Sequence, residues 1–263
     1  MGERTSHAPG TFSWVDLATP DREASKRFYG ELFGWQSEDS PGRRGAAYTR
    51  FALDGRDVAG CFDQREHERD GGVPPHWSSY VTVEDLDAPT SRAPELGGKV
   101  VAEASEVEDR GRLAGLADPA GAELGLWEPG ADFGAGLVNA AGALCWNDLG
   151  TPDVDAAKAF YGGLFGWTFD EASEQDPMQY TTIRNGETTN GSVHLQGELE
   201  RGTLPSWLAY FATADLEVTN SKLSELGGRV IVEPLEVPAG GRVSVVTDPQ
   251  GAAFGLFKGP LDP

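Results

Sequence analysis

Residues 11–35 read TFSWVDLATPDREASKRFYGELFGW and residues 143–167 read ALCWNDLGTPDVDAAKAFYGGLFGW, one pattern used twice at a spacing of 132. Fifteen of the twenty-five aligned positions are identical, among them Trp14/Trp146, Asp16/Asp148, Tyr29/Tyr161 and Trp35/Trp167. In the first copy Phe12, Trp14 and Asp16 alternate with Ser13, Val15 and Leu17, the period of a half-buried strand. A helix is expected next, with Thr19 as N-cap, Pro20 at its first position and acidic Asp21 and Glu23 in the positive first turn. Ala24, Phe28 and Leu32 fall four apart on one stripe, and Gly34 can end the helix in the left-handed conformation. The second copy repeats this chemistry from Thr151 to Gly166.

Working outward, 48–53 and 57–62 read as a hairpin about Asp54-Gly55, while 36–45 and 63–75 read as loops. A second strand–helix unit spans 77–98, its helix shortened or broken by Pro89 and Pro94. Strands at 99–102 and 112–117, the turn Asp118-Pro119-Ala120-Gly121 and a last strand through Trp127 complete the half. At an offset of 130 these features return at Trp207, at Leu226-Gly227-Gly228 and at Asp248-Pro249-Gln250-Gly251, now with a proline-free helix over 215–226. The expected organisation is a domain over 1–130, a Gly/Ala-rich linker over 131–142 and a domain over 143–263, each of two β-α-β-β-β modules.

With 39% apolar and 10% aromatic residues, each half can bury a core. A formal charge of −21 repels polyanions, so nucleic-acid partners are not expected. Cys61 and Cys145 sit at non-equivalent places, which points away from a disulfide framework and fits a reducing compartment. The first residues carry no apolar leader and no run is long enough to cross a bilayer. A cytoplasmic protein with no membrane partner is the expectation.

The strand, the Thr-Pro-Asp turn, the Phe-Tyr pair, the Leu-Phe-Gly-Trp ending and the later Asp-Pro-x-Gly together resemble the vicinal oxygen chelate superfamily of glyoxalases, extradiol dioxygenases and fosfomycin and bleomycin resistance proteins. The double occurrence resembles its tandem two-domain actinobacterial members, some of which serve aromatic polyketide pathways. The resemblance implies an α+β fold of two tandem glyoxalase-like domains, each a curved mixed sheet around a cup. It also implies metal ligands at fixed places, which here are Trp14, Ser78 and Gly125 in the first half and Trp146, Leu208 and Gly255 in the second. Trp, Leu and Gly offer no suitable lone pair and Ser is a weak ligand, so neither a metal site nor any other cofactor is expected. His7, His67, His76 and His194 show no paired ligand spacing and read as exposed or loop histidines.

On the alternation above, the first cup is expected to receive Phe12, Trp14, Asp16, Tyr48, Tyr80, Thr82, Glu123 and Trp127. The second is expected to receive Leu144, Trp146, Asp148, Tyr180, Tyr210, Ala212 and Phe257, leaving the first the more polar. Such linings suit a flat, mostly apolar ligand with a hydroxyl or amine. Two readings follow. One is a metal-free binder of an aromatic small molecule, for antibiotic sequestration or an auxiliary step in secondary metabolism. The other is a glyoxalase-like lyase or hydroxylase/oxygenase with a non-standard site, with Asp16 and Glu123 as acid–base groups. The tryptophans can instead fill the cups as core, and the aspartates can bond backbone amides. Because one chain carries both domains, a monomer or loose homodimer is expected.

Overall fold

The computed structural model describes residues 2–42, 46–171, 180–200, 202–237 and 240–261, without the side chains of His67 and Leu199. In the first half the order is β1 (Phe12–Thr19), α1 (Arg22–Phe33), β2 (Gln36–Pro41), β3 (Ala47–Leu53), β4 (Arg56–Asp63), α2 (Glu66–Asp70), β5 (His76–Thr82), α3 (Asp87–Arg92), β6 (Lys99–Val107), β7 (Gly111–Ala117) and β8 (Glu123–Pro129). The second half runs β9 (Leu144–Thr151), α4 (Val154–Phe165), β10 (Thr168–Asp170), β11 (Thr181–Asn185), β12 (Thr188–Leu195), β13 (Ser206–Ala212), α5 (Leu216–Glu225), β14 (Arg229–Glu236), β15 (Arg242–Thr247) and β16 (Ala253–Lys258).

Each half forms one eight-stranded mixed sheet, in the order β2-β3-β4-β1-β5-β8-β7-β6 and its counterpart β10-β11-β12-β9-β13-β16-β15-β14. Modules meet where β1 pairs antiparallel with β5, and β9 with β13. The α+β tandem of glyoxalase-like domains is therefore the observed fold. Residues 36–45, expected as a loop, contain the edge strand β2, whose antiparallel partner β3 satisfies it despite its polarity. Within 63–75 the chain makes the five-residue helix α2.

The helix start is corrected by two residues. Thr19 ends β1, and the cap is Asp21, extended at φ −145°, whose carboxylate accepts from Ala24 N at 2.9 Å. Asp153 does the same for Ala156 N at 2.9 Å, so Pro20 and Pro152 precede the caps rather than opening the helices. The shorter, charged side chain at the third position of Thr-Pro-Asp is the one placed to reach a free N–H of the first turn. As expected, the proline-bearing helix is short: α3 ends at Arg92 and a 3-10 turn follows at Pro94–Leu96, whereas α5 runs ten residues.

The two sheets pack back to back, and each first module lies against the other half's second module. Val15, Leu17, Phe28, Tyr29 and Trp35 share a core with Phe211, Leu216, Leu223 and Phe254, while Phe160, Tyr161 and Trp167 share another with Val81, Leu86, Leu116 and Leu126. The same polar node fixes both contacts. Tyr29 donates to Asp248 Oδ2 at 3.1 Å and accepts from Trp77 Nε1 at 3.1 Å. Tyr161 donates to Asp118 Oδ2 at 3.3 Å and accepts from Trp207 Nε1 at 2.9 Å. The other carboxylate oxygens, Asp118 Oδ1 and Asp248 Oδ1, each accept three backbone N–H groups of their own Asp-Pro-x-Gly turn. With back faces joined, the opposite sheet faces are left to form the two cups.

Candidate functional site: two cups with different fates

The first cup is filled by the protein itself. Residues 132–138, expected as a spacer, fold into it: Ala135 N bonds Ser13 O at 2.8 Å, Gly136 N bonds Asp57 O at 2.8 Å, and Ala135 and Val138 pack on Trp14 and Tyr80. Arg50 clamps the insertion, paired to both Asp57 and Asp132 with its guanidinium 5.3 Å from the centre of the Trp14 ring. Trp127, expected to line an open pocket, instead donates to Asp132 O at 2.9 Å. The N-terminal arm lies over the same segment, with Arg4 N bonded to Gly136 O at 2.9 Å and His7 Nε2 at 2.9 Å from Ala135 O.

Beneath this plug Asp16 is 8% exposed and its Oδ1 accepts from Tyr48 Oη at 2.6 Å and Trp14 Nε1 at 2.9 Å. Burial pushes its carboxyl above the usual range, opposed by the hydrogen bonds of Tyr48, Trp14 and Tyr80 and by the Arg50 charge. Glu123 does not join it. Asp16 pairs with Ser78 on β5, Tyr80 pairs with Gly125 on β8, and Glu123, exposed at the start of β8, therefore stands two strand spacings from Asp16, roughly 10 Å. The expected acid pair is not assembled.

The second cup is open. A cavity of about 800 Å³ is lined by Trp146, Asp148, Tyr180, Tyr210, Phe257 and Leu144 among others, a size that suits a drug-sized ligand. Phe12 faces this cavity and not the first cup, packed on Trp207 and Trp167 at ring distances of 5.1 and 5.6 Å. A bulge between Phe12 and Trp14 displaces the register there, and an odd displacement turns a side chain to the other face. Ala212 is fully buried beside the cup and does not line it. Arg4, Ser6, His7 and Ala8 complete one wall, so the chain's first segment contributes to the second domain's cavity.

A polar chain crosses the floor of this cavity. Trp146 Nε1 donates to Ser192 Oγ at 2.8 Å, and Ser192 donates to Asp148 Oδ1 at 2.5 Å. His194 Nδ1 lies 2.9 Å from Asp148 Oδ2, off the hydrogen-bond axis, so charge holds this contact more than direction does. Its Nε2 faces Glu200 at 3.0 Å. Burial works against protonating His194, but the close carboxylate of Asp148, with Glu200 behind, outweighs it and raises the imidazole to about 9. His194 is thus a half-buried strand residue and not the exposed one expected from sequence. Its signal was alternation with Asn190 and Ser192 on β12, a face shared with the first-strand aspartate through the Ser192–Asp148 and His194–Gly150 pairing. Asp148, Ser192 and His194 are not a nucleophilic triad, because the carboxylate stands between the hydroxyl and the imidazole.

The glyoxalase-like domain model matches residues 14–127, and the glyoxalase/bleomycin resistance protein/dioxygenase superfamily model matches residues 143–256. The chain belongs to this superfamily. It is 37% identical over 98% of both chains to a Mycobacterium tuberculosis protein that carries the provisional name glyoxylase CFP32. It is also 34% identical to the anthracycline biosynthesis protein DnrV of Streptomyces peucetius, over 97% of this chain and 95% of that one. In structure it is similar to the 2,3-dioxygenase LapB of Pseudomonas sp. KL28, with a TM-score of 0.66 at 15% identity over 97% and 95% of the chains. The Mn(II)-bound glyoxalase of Novosphingobium aromaticivorans gives a TM-score of 0.65 at 15% identity over 95% and 82%.

The superfamily's metal does not fit the ligand positions of this chain. Trp14 pairs with Tyr80 and Tyr80 with Gly125, and a Cβ at Gly125 would collide with the Tyr80 ring, so aromatic carbon fills the place of the last-strand ligand. Tyr210 fills the equivalent space over Gly255. Among the described residues no group of three or more His, Cys, Asp or Glu side chains is arranged to hold a metal ion. No described helix is long and apolar enough to cross a membrane.

Proposed function

We propose that the second domain binds a planar, mostly apolar aromatic molecule carrying a hydroxyl or amine, with no metal taking part, and that the first domain is its structural partner. The observation that carries this reading is the contrast between the cups: one is plugged by the chain's own linker, the other is an aromatic-walled cavity of about 800 Å³. Trp146, Tyr180 and Tyr210 supply ring faces, and Asp148 supplies a fixed acceptor for a ligand donor. The relative named for anthracycline biosynthesis supports a polycyclic aromatic ligand and an auxiliary role in secondary metabolism. One chain with both domains suffices for the site, in keeping with a monomer.

The test is a fluorescence titration with 1,8-dihydroxyanthraquinone. Asp148→Asn should weaken binding about tenfold to a hundredfold, the scale of a hydrogen bond to a buried charge, and Trp146→Phe should remove most of the quenching. Undiminished binding by both variants would exclude this cup.

The glyoxylase-named relative supports a second reading, acid–base catalysis in the same cup with Asp148 as the proton acceptor and His194 holding it. On that reading Asp148→Asn loses turnover while affinity is retained.

A further inference from the structure

The two halves place a tyrosine, a tryptophan and an aspartate in register, yet one cup is shut and the other open. Tyr48 and Tyr180 are equivalent, since Thr49 pairs with Cys61 as Thr181 pairs with Val193. Trp14 corresponds to Trp146 and Asp16 to Asp148, with Gly60 and Ser192 as the partners of the aspartates on β4 and β12. At this last position the halves diverge.

A hydroxyl sits between indole and carboxylate in both cups, but it comes from different residues. In the first half it belongs to the tyrosine: Tyr48 Oη lies 3.0 Å from Trp14 Nε1 and 2.6 Å from Asp16 Oδ1. In the second it belongs to the serine: Ser192 Oγ lies 2.8 Å from Trp146 Nε1 and 2.5 Å from Asp148 Oδ1. The tyrosine reaches that point only because position 60 has no side chain; a Cβ there would collide with both Tyr48 Oη and Asp16 Oδ1. Ser192 fills the equivalent space, and Tyr180 stands aside as cavity wall, its ring 5.2 Å from that of His194 in an edge-on contact.

We propose that Ser192 is a positioning residue that keeps the second cup open, acting by occupying the point to which the repeat's tyrosine otherwise swings. Its Cβ excludes the Tyr180 hydroxyl, and its own hydroxyl satisfies Trp146 and Asp148. The inference rests on the binding role proposed above for what the opening is for, but the tyrosine's position can be read without any ligand.

The experiment compares wild type with Ser192→Gly, Ser192→Ala, Tyr180→Ala and the Ser192→Gly/Tyr180→Ala double variant. Affinity for 1,8-dihydroxyanthraquinone and acrylamide quenching of Trp146 are measured for each, and the crystal structure of Ser192→Gly is determined. Ser192→Gly should weaken binding about tenfold or more, as for a pocket whose competent form falls to a tenth of the population, and should shield Trp146. Ser192→Ala keeps the Cβ and should stay open and quenchable. The double variant should return to the affinity of Tyr180→Ala alone. The proposal is overturned if Ser192→Gly leaves Trp146 as accessible as before with Tyr180 still beside His194, or if Ser192→Ala shields Trp146 as fully as the glycine variant. If wild type itself does not bind the probe, the binding role fails, and the quenching and the Tyr180–Asp148 distance in Ser192→Gly still decide the positioning role.

Discussion

His194 and Asp16 show how the surroundings of a side chain, more than its identity, set its electrostatics. His194 sits between two carboxylates and is raised from 6.5 to about 9 in the folded chain. A base whose folded value is raised contributes stability in full below its unfolded value and loses it as pH climbs through the folded value. Thermal melts should therefore show wild type losing stability between about pH 6.5 and 9, as protonation at His194 is lost, and His194→Gln should flatten that decline. An unchanged decline in the variant would place the titrating group elsewhere. Asp16, by contrast, lies under the plug with its oxygen already shared by Tyr48 and Trp14. Asp16→Asn should alter the melting temperature and leave anthraquinone affinity within twofold or so, because the group does not face the open cavity. Sequence alone ranked Asp16 as the leading acid and His194 as incidental. The reversal comes from what surrounds each side chain: the plug at 132–138 lies more than a hundred positions from Asp16, and Asp148 lies 46 positions from His194.

At the scale of elements, the linker is the departure from expectation. A Gly/Ala-rich stretch reads as a flexible spacer, yet here small residues are what a narrow cup admits. Gly134 has φ +104°, and a Cβ on it would lie 2.5 Å from Ser13 O. Gly134→Ala should cost about 1–3 kcal/mol in urea unfolding, the usual range for forcing a side chain into this backbone region; a neutral result would mean that the segment does not dock on β1. The helix caps behave more simply. Asp21→Ala and Asp153→Ala should each cost about 1 kcal/mol, since each removes a carboxylate bonded to a first-turn N–H.

For the whole molecule, the crossed cores imply that neither half can melt alone. Tyr29 and Trp77 join Asp248 across the interface as Tyr161 and Trp207 join Asp118. Tyr29→Phe leaves a buried indole donor and a carboxylate short of a partner, which should cost about 1–3 kcal/mol. Calorimetry should show one transition for wild type and for Tyr29→Phe, shifted down in the variant. Two resolved transitions would mean that the halves are independent.

The repeat at 11–35 and 143–167 made the strand–helix unit and its doubling legible, because alternation and helix stripe are local and each copy testifies for the other; the tandem cup fold came from the resemblance of its motifs. That Trp14, Ser78 and Gly125 stand at the places the resemblance gives to metal ligands was equally legible, since residue identity does not wait on packing. The Phe-Tyr and Asp-Pro-x-Gly motifs were visible too, but their work as the joint between halves was not, for a hydrogen bond spanning 219 residues leaves no periodicity. Which cup is open was likewise decided only in three dimensions. It turns on where residues 132–138 come to rest and on a glycine at 60 against a serine at 192, a difference whose meaning is steric and appears only when the tyrosine from the neighbouring strand is placed beside it.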